Sequence, residues 1–211
     1  MDAIDAEILS VFPTEKLLTP DGVRGPFETL KQAILNQGWP SLNQSKGKLM
    51  FALDNSGEIR QRYLEGHPSL QGRVLFTDSM LNDAEAAFFK RDNPFDSEIP
   101  ELVRQGYLVL TRADADTIEA RLNDSTRRDT ALASGAQFIS TDYPVPDLHI
   151  SPYSVSFREG TTLRCNPINS PSGCSFNAAT IPEPSSLLGL LTFCIGCVRS
   201  KFLRQKKGNQ K

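Results

Sequence analysis

Hydrophobic positions along the chain fall into four short β-rich runs, separated by segments with helical spacing. The runs are residues 48–54 (KLMFALD), 73–76 (RVLF), 108–112 (LVLTR) and 138–141 (FIST). They begin roughly 25 to 35 residues apart, which is the distance that a strand, a crossover helix and the next parallel strand require. The pattern therefore predicts an α/β fold with four βα units.

The segments between these runs carry helix signals. Pro26 is predicted to begin a helix that Gly38 ends, and Asp124 and Ser125 are predicted to cap a helix that continues to Ala133. Further helices are predicted directly after the turn at 55–57, at 83–90 and at 97–105, and residues 1–12 are acidic and amphipathic. On periodicity alone, an open four-stranded sheet and a part of a (β/α) barrel fit the pattern equally well.

Charged residues follow the third and fourth runs. Arg112 closes the third run with Asp114 and Asp116 directly behind it, and Asp142 follows the fourth. The carboxyl ends of the strands are where (β/α)-barrel enzymes carry their chemistry. The alternative is that these acids only cap helices or form hydrogen bonds within loops.

Several segments, taken in order, resemble one enzyme family. TRADADT and EARLNDSTRRDTALASGAQFISTDYP are similar to the closing segment of the bacterial calcium-dependent phosphoinositide-specific phospholipases C. LTPDGVRG, GWPSL, KLMFALDN and GHPSLQGRVLF extend the resemblance over residues 4–174. The STDYP end also resembles the last strand of glycerophosphodiester phosphodiesterases, a related barrel family.

This resemblance implies a TIM-type (β/α) barrel of which residues 1–147 form only the second half, about four of the eight units. Residues 148–180 are then an extended wrapping segment and linker, and residues 181–211 are a separate tail. The resemblance also implies that the chain is truncated at its N-terminus. The catalytic histidines and most calcium ligands of the family lie in the first half of the barrel.

Four polar residues match conspicuous strand-end positions in the family's second half. The resemblance implies that Arg112 binds phosphate and that Asp54 and Asp114 accept hydrogen bonds from inositol hydroxyls. Asp142 is expected to orient a catalytic histidine, because an imidazole base usually needs a carboxylate partner. The implied cofactor is calcium, and the implied substrate is a phosphatidylinositol-type lipid or a related phosphodiester.

The chain contains only two histidines, His67 and His149. His67 directly precedes a predicted strand, at the edge opposite the strand ends, and His149 lies several residues beyond the last run. Internal attack on a phosphodiester needs one group that accepts a proton and one that donates it. Neither histidine is assigned to these roles, so whether this chain alone is active stays open.

The charge distribution separates the tail from the rest of the chain. The net charge is −2, but from Ile181 onward there are one acid and six bases, so the tail is basic and the body mildly acidic. The bases of the body are dispersed among acids, which excludes a nucleic-acid surface. The N-terminal segment has neither the basic start nor the apolar centre of a secretory signal.

The tail resembles a PEP-type C-terminal sorting signal. Pro182, Glu183 and Pro184 are followed by an apolar run at 187–198 and a basic end. Such a tail implies export, insertion of an anchoring helix into the membrane with the basic end in the cytoplasm, and processing by an exosortase-type protease. The apolar run is shorter than the roughly 20 residues of a spanning helix, so an interfacial anchor is the alternative.

The four cysteines form two pairs in the sequence. Cys165 and Cys174 lie in a loop-like stretch and close a short ring if bonded, which suits an exported protein, whereas two free loop thiols are the alternative. Cys194 and Cys197 lie inside the apolar run of the tail, where CxxC lacks the polar or βαβ context of a redox or zinc site.

Three functions are therefore expected as alternatives. The first is an exported, membrane-anchored phosphodiesterase of the phospholipase C type, represented by an incomplete chain. The second is a non-catalytic anchored remnant of the barrel, and the third is a glycerophosphodiester phosphodiesterase-like enzyme. A half barrel leaves apolar strands with unpaired edges, which favours a partner half or homodimerisation.

Overall fold

The computed structural model describes residues 2–157, 161 and 163–175. The helices there are α1 (Asp2–Val11), α2 (Pro20–Arg24), α3 (Leu30–Asn36), α4 (Leu42–Ser45), α5 (Gly57–Leu64), α6 (Glu98–Arg104), α7 (Ile118–Leu122) and α8 (Thr126–Ala133). The strands are β1 (Ala52–Leu53), β2 (Phe76–Thr77), β3 (Phe88–Lys90), β4 (Leu108–Arg112) and β5 (Phe138–Ser140). The predicted α/β class is confirmed.

The strands form two small sheets in which every pair is parallel. One sheet has the order β1-β2 and the other has the order β3-β4-β5. A single parallel bridge between Asp78 and Phe88 joins β2 to β3, and another between Leu17 and Leu49 extends the first sheet. Neighbouring strands therefore follow the order of the chain, and the described part does not close into a barrel.

Three predicted strands agree well with the structure, and a fourth is displaced. Strands β1, β4 and β5 lie within the predicted runs, whereas β2 begins only at Phe76, where the run 73–76 ends. The helix predicted at residues 83–90 is wrong, because this segment contains β3. Ala86, Ala87 and Phe89 are all fully buried. A short run that is buried on every side gives no periodicity that separates strand from helix.

Helix ends depend on capping more than on proline. The helix predicted to begin at Pro26 begins at Leu30, because Thr29 and Gln32 form a capping box there. The side chain of Thr29 accepts from the N–H of Gln32, and the Gln32 side chain accepts from the N–H of Thr29. The helix predicted through Ala133 is confirmed as α8, and α6 lies within the predicted 97–105.

A buried polar network fastens α1 to the entrance of β2. The Tyr63 hydroxyl donates to the Asp5 carboxylate at 2.6 Å and accepts from the backbone N–H groups of Val74 and Leu75. The Arg73 guanidinium contacts Asp5 at 3.2 Å and lies over the Tyr63 ring. Buried polar groups are tolerated only when they find partners, and this network supplies them.

The two faces of the main sheet differ in exposure. On β4, Val109 and Thr111 are fully buried, whereas Leu108, Leu110 and Arg112 are half-buried. The strand register places exposed Phe138 and Ser140 of β5 on the same side as Leu110 and Arg112. We call this side the open face. Parallel sheets usually have both faces covered, so the open face is unusual.

The segment after β5 is extended and packs back onto the sheet. The Tyr153 hydroxyl donates to the carbonyl of Ala113 at 3.1 Å, and the Ser151 hydroxyl donates to the carbonyl of Ala120. Farther on, Cys165 and Cys174 form a disulfide. The compact unit that holds these residues runs to Cys174.

The predicted tail at 181–211, with Pro182, Glu183, Pro184, Cys194 and Cys197, lies outside the described residues. Within the described part, no helix has both the length and the apolar composition needed to cross a bilayer.

Candidate functional site

Charged side chains gather at the end of the sheet where the strands finish. Because all strand pairs are parallel, the residues that follow or close the strands lie at one edge. We call this edge the carboxyl-end rim. Its charged members are Asp54, Asp78, Lys90, Arg112 and Asp142.

Arg112, the last residue of β4, is the least satisfied cation of the rim. Its side chain is half-buried, and no residue in the described part forms a hydrogen bond or an ion pair with its guanidinium. The half-buried Arg60 and Arg91, in contrast, each pair with two or more carboxylates. An unpaired guanidinium fork is suited to bind a planar or tetrahedral oxyanion through two parallel N–H donors.

Lys90 lies on the neighbouring strand, and sequence reasoning missed it. The register pairs Lys90 with Leu110, so its side chain shares the open face with Arg112. Its ammonium lies 2.8 Å from the Asp54 carboxylate and 3.6 Å from that of Asp92. The hydrogen bond to Asp54 raises the pKa of Lys90. Residues 83–90 were predicted to form a helix, so the position of Lys90 at the end of a strand was not recognised.

Asp54 forms an ion pair across two strands. Its side chain is 73% exposed, and the contact with Lys90 links the end of β1 to the end of β3. A hydroxyl-bearing ligand at this carboxylate would compete with the ammonium of Lys90. The structure thus places Asp54 at the rim, already paired with a cation.

Asp114 is buried beneath the rim. It is 1% exposed, and its carboxylate accepts from the Thr141 hydroxyl at 2.5 Å and from the backbone N–H of Asp142 at 3.0 Å. The Thr141 oxygen in turn accepts from the N–H of Tyr143 at 2.9 Å. These contacts favour the alternative role, in which the carboxylate forms hydrogen bonds within a loop, and they do not favour the predicted role of binding inositol hydroxyls.

Asp142 carries an exposed carboxylate at the end of β5. Its backbone is held by Asp114, while no contact in the described part joins either histidine to its side chain. The His67 ring lies against the carbonyl of Gln71 at 2.5 Å, ahead of β2 and so at the opposite edge. His149 is exposed in the turn that begins at Asp147.

The turn after β4 is strained. Asp116 and Thr117 have φ angles of 53° and 65°, a left-handed conformation that costs a β-branched residue about 1–3 kcal/mol. Glu119 stabilises the turn, because its carboxylate accepts from the N–H of Ala115 at 2.9 Å. Strain of this kind concentrates at functional sites. Leu70, ahead of β2 at the opposite edge, also has a left-handed φ of 58°, so this strain is not confined to the rim.

The described residues do not assemble a metal site. Within 2–157, 161 and 163–175, no group of three or more Asp, Glu, His or Cys side chains is gathered closely enough to hold a metal ion. Ca²⁺ takes six to eight oxygen ligands. The described rim acids therefore do not fit calcium by themselves.

Comparison with known protein families gives a match over most of the chain. The family model of the Ca²⁺-dependent phosphoinositide phospholipases C matches residues 1–167. No curated protein and no solved structure matches the chain significantly.

Proposed function

The chain belongs to the Ca²⁺-dependent phosphoinositide phospholipase C family, and from this premise we propose that it acts on the phosphodiester of a phosphoinositide-type lipid. The reaction class is phosphodiester cleavage of the phospholipase C kind. Membership agrees with the resemblance seen in the sequence, which rested on ordered short segments. The rim is the proposed place of substrate binding.

The observation that carries the proposal is the unpaired guanidinium of Arg112. It is half-buried, it belongs to a regular strand, and it faces the same side of the sheet as Lys90. Charge-assisted hydrogen bonds to phosphate are stronger than neutral ones, and strand residues hold their side chains in place. Arg112 therefore binds the phosphate, and Lys90, which is paired with Asp54, places a second cation on the same face of the sheet.

Asp142 is proposed to orient a histidine that abstracts or donates the proton during cleavage. Neither His67 nor His149 contacts Asp142, so neither is assigned to this step. Asp114 keeps the backbone of Asp142 in position. The substrate role first expected for Asp114 thus becomes a supporting one.

Calcium dependence is proposed from family membership alone. When bound, such a cation offsets charge on the phosphate as a Lewis acid. The described rim residues do not supply a set of ligands, so further groups must complete the site. Activity that survives a calcium chelator unchanged would remove calcium from the proposal.

The larger organisation is likewise proposed. The sequential parallel order of the strands and the open face fit the second half of a (β/α) barrel. Export, membrane anchoring and an exosortase-type partner are proposed from the resemblance of the tail to a PEP-type signal.

The open face also supports a second candidate, a non-catalytic anchored remnant. Phe138 on the open face is exposed, whereas both faces of a parallel sheet are normally covered by packed elements. A remnant would still bind phosphate at Arg112 without turning over lipid. Binding and turnover must therefore be measured separately.

The test combines both measurements on the full chain. Binding of inositol 1-phosphate is followed by calorimetry, and cleavage of phosphatidylinositol vesicles is followed with calcium and with a chelator. R112A is expected to weaken binding at least about tenfold, and R112K is expected to recover only part of it, since lysine lacks the fork. R104A, at the exposed end of α6, is the matched control.

Equal affinity of R112A and R104A would overturn the proposed phosphate site. Binding that depends on Arg112 without any turnover would favour the remnant. Calcium-dependent turnover lost in R112A and kept in R104A would establish the enzyme.

A further inference from the structure

The loop between Cys165 and Cys174, here called the disulfide loop, packs against the amino-terminal end of the sheet. The Asn166 amide donates to the carbonyl of Gly135 at 2.7 Å, and the Asn169 amide donates to the carbonyl of Val103 at 3.2 Å. Gly135 lies between α8 and β5, and Val103 lies in the last turn of α6, ahead of β4. The loop therefore fastens the entrances of two neighbouring strands.

Ile168, between the two asparagines, fills the space above Gly135. A Cβ atom at Gly135 would clash with the Ile168 side chain, so any side chain there would displace Ile168. The Ile168 side chain packs against the main hydrophobic core. Asn166, Ile168 and Asn169 together form a clamp in which one apolar group enters the core between two amide donors.

The clamp has little local structure of its own. The disulfide loop contains no helix or strand, and few hydrogen bonds hold it internally, such as Ile168 N–H to Asn166 Oδ1 at 2.9 Å and Cys174 N–H to the Pro171 carbonyl at 3.1 Å. Without the ring, placing the clamp would mean ordering an open segment rich in proline, serine and glycine. Cross-linking lowers that entropic cost.

We propose that the Cys165–Cys174 disulfide is a redox latch that keeps the clamp seated and thereby locks α8 and β5 onto the main core. Opening it breaks one S–S bond and consumes two electrons and two protons from a dithiol reductant, which itself becomes a disulfide. The latch lies at the end of the sheet opposite Arg112, so it does not depend on the proposed function. It makes the order of the last βα unit depend on an oxidising compartment.

Amide hydrogen exchange of the full chain tests this directly, with and without a dithiol reductant. Reduction is expected to raise exchange at residues 132–140 at least about tenfold. Exchange at residues 63–76, around the Tyr63 network, is expected to stay unchanged. C165S/C174S without reductant should reproduce the reduced pattern and should not respond further to the reductant.

Two variants keep the test decisive. C194S/C197S retains the latch and should respond to the reductant like the wild type, which excludes the tail thiols as the source of the effect. I168A retains the disulfide, removes only the apolar group of the clamp, and should raise exchange at 135–140 in the oxidised protein. This variant covers the case in which the double serine variant fails to fold.

If reduction changed amide exchange only within residues 163–175, the proposal would be overturned, because the disulfide would then stabilise only its own loop. An equal rise at 63–76 would also overturn it, since the bond would then support the whole fold. An unchanged pattern in oxidised I168A would show that Ile168 does not carry the connection.

Discussion

The Asp114 carboxylate accepts a hydrogen bond of 2.5 Å from the Thr141 hydroxyl, joining the turn after β4 to the end of β5. The same carboxylate accepts from the N–H of Asp142, so one buried acid holds the exposed one in place. Two strand ends of the rim are thus coupled through a single side chain. These hydrogen bonds explain how the Asp114 carboxylate can be buried, because both partners satisfy it.

Removing this carboxylate should destabilise the fold. D114A leaves the Thr141 hydroxyl and the Asp142 N–H without their acceptor, which is expected to lower the free energy of unfolding by about 2–3 kcal/mol. D114N should lose less, because an amide oxygen still accepts from the N–H. Urea unfolding measures both. D116N is the control, since Asp116 is exposed and asparagine tolerates its left-handed backbone. If D114A and D116N lowered the free energy of unfolding equally, the coupling would be contradicted.

The same substitution at two buried tyrosines should give different results. Y63F removes the hydroxyl that joins Asp5 to two backbone N–H groups, and we expect a loss of about 2–3 kcal/mol. Y107F removes a buried hydroxyl that has no partner in the described part, so stability should stay within about 1 kcal/mol or rise. Thermal and urea unfolding compare the pair. Matching losses would show that the Asp5 network contributes nothing specific.

A methyl group at Gly135 should unseat the clamp. G135A adds a Cβ that meets Ile168 and requires a φ of +85°, so a loss of about 2–4 kcal/mol is expected. G66A is the matched control, because Gly66 has a φ of +75° but open space around it, and it should cost only about 1 kcal/mol. Unfolding free energies of the two variants give the steric contribution by difference. If the two variants had the same unfolding free energy, the Ile168 side chain would move aside without a measurable cost.

Glu85 should make the protein less stable as the pH rises. Burial raises the pKa of Glu85 above 4.5, and nearby Asp83 adds to the increase although Arg60 pairs with both acids. The folded protein then holds the proton more tightly than the unfolded chain. The contribution of Glu85 to stability is therefore fully present below the unfolded pKa of 4.5 and is lost as the pH rises through the higher folded pKa.

E85Q tests this sign, since glutamine keeps an acceptor for Arg60 but does not titrate. The unfolding free energy of the wild type relative to E85Q should fall between about pH 4 and about pH 7. Urea denaturation across this range measures the difference. A difference that rises with pH would mean that the attraction of Arg60 outweighs burial.

The strand that was missed shows which strands a hydrophobic pattern cannot predict. Strand β4 was predictable because Leu108–Arg112 is rich in β-forming residues, and β5 because Gly135 separates it from the helix before it. Strand β3 was missed, since Ala86, Ala87 and Phe89 are buried on all sides and leave no period to read. Lys90 was missed with it, although the charged residues Arg91 and Asp92 that follow it end the apolar run.

Local sequence determined the α/β class, most strands and the family, because each depends on neighbouring residues or on the order of short segments. Only the tertiary structure decided which charges meet. Several of these contacts join residues that are far apart in the chain. They are Asp54 with Lys90, Asp114 with Thr141, and Asn169 with the Val103 carbonyl. Whether a carboxylate faces a ligand or a loop depends on the burial that such contacts create, and no periodicity encodes it.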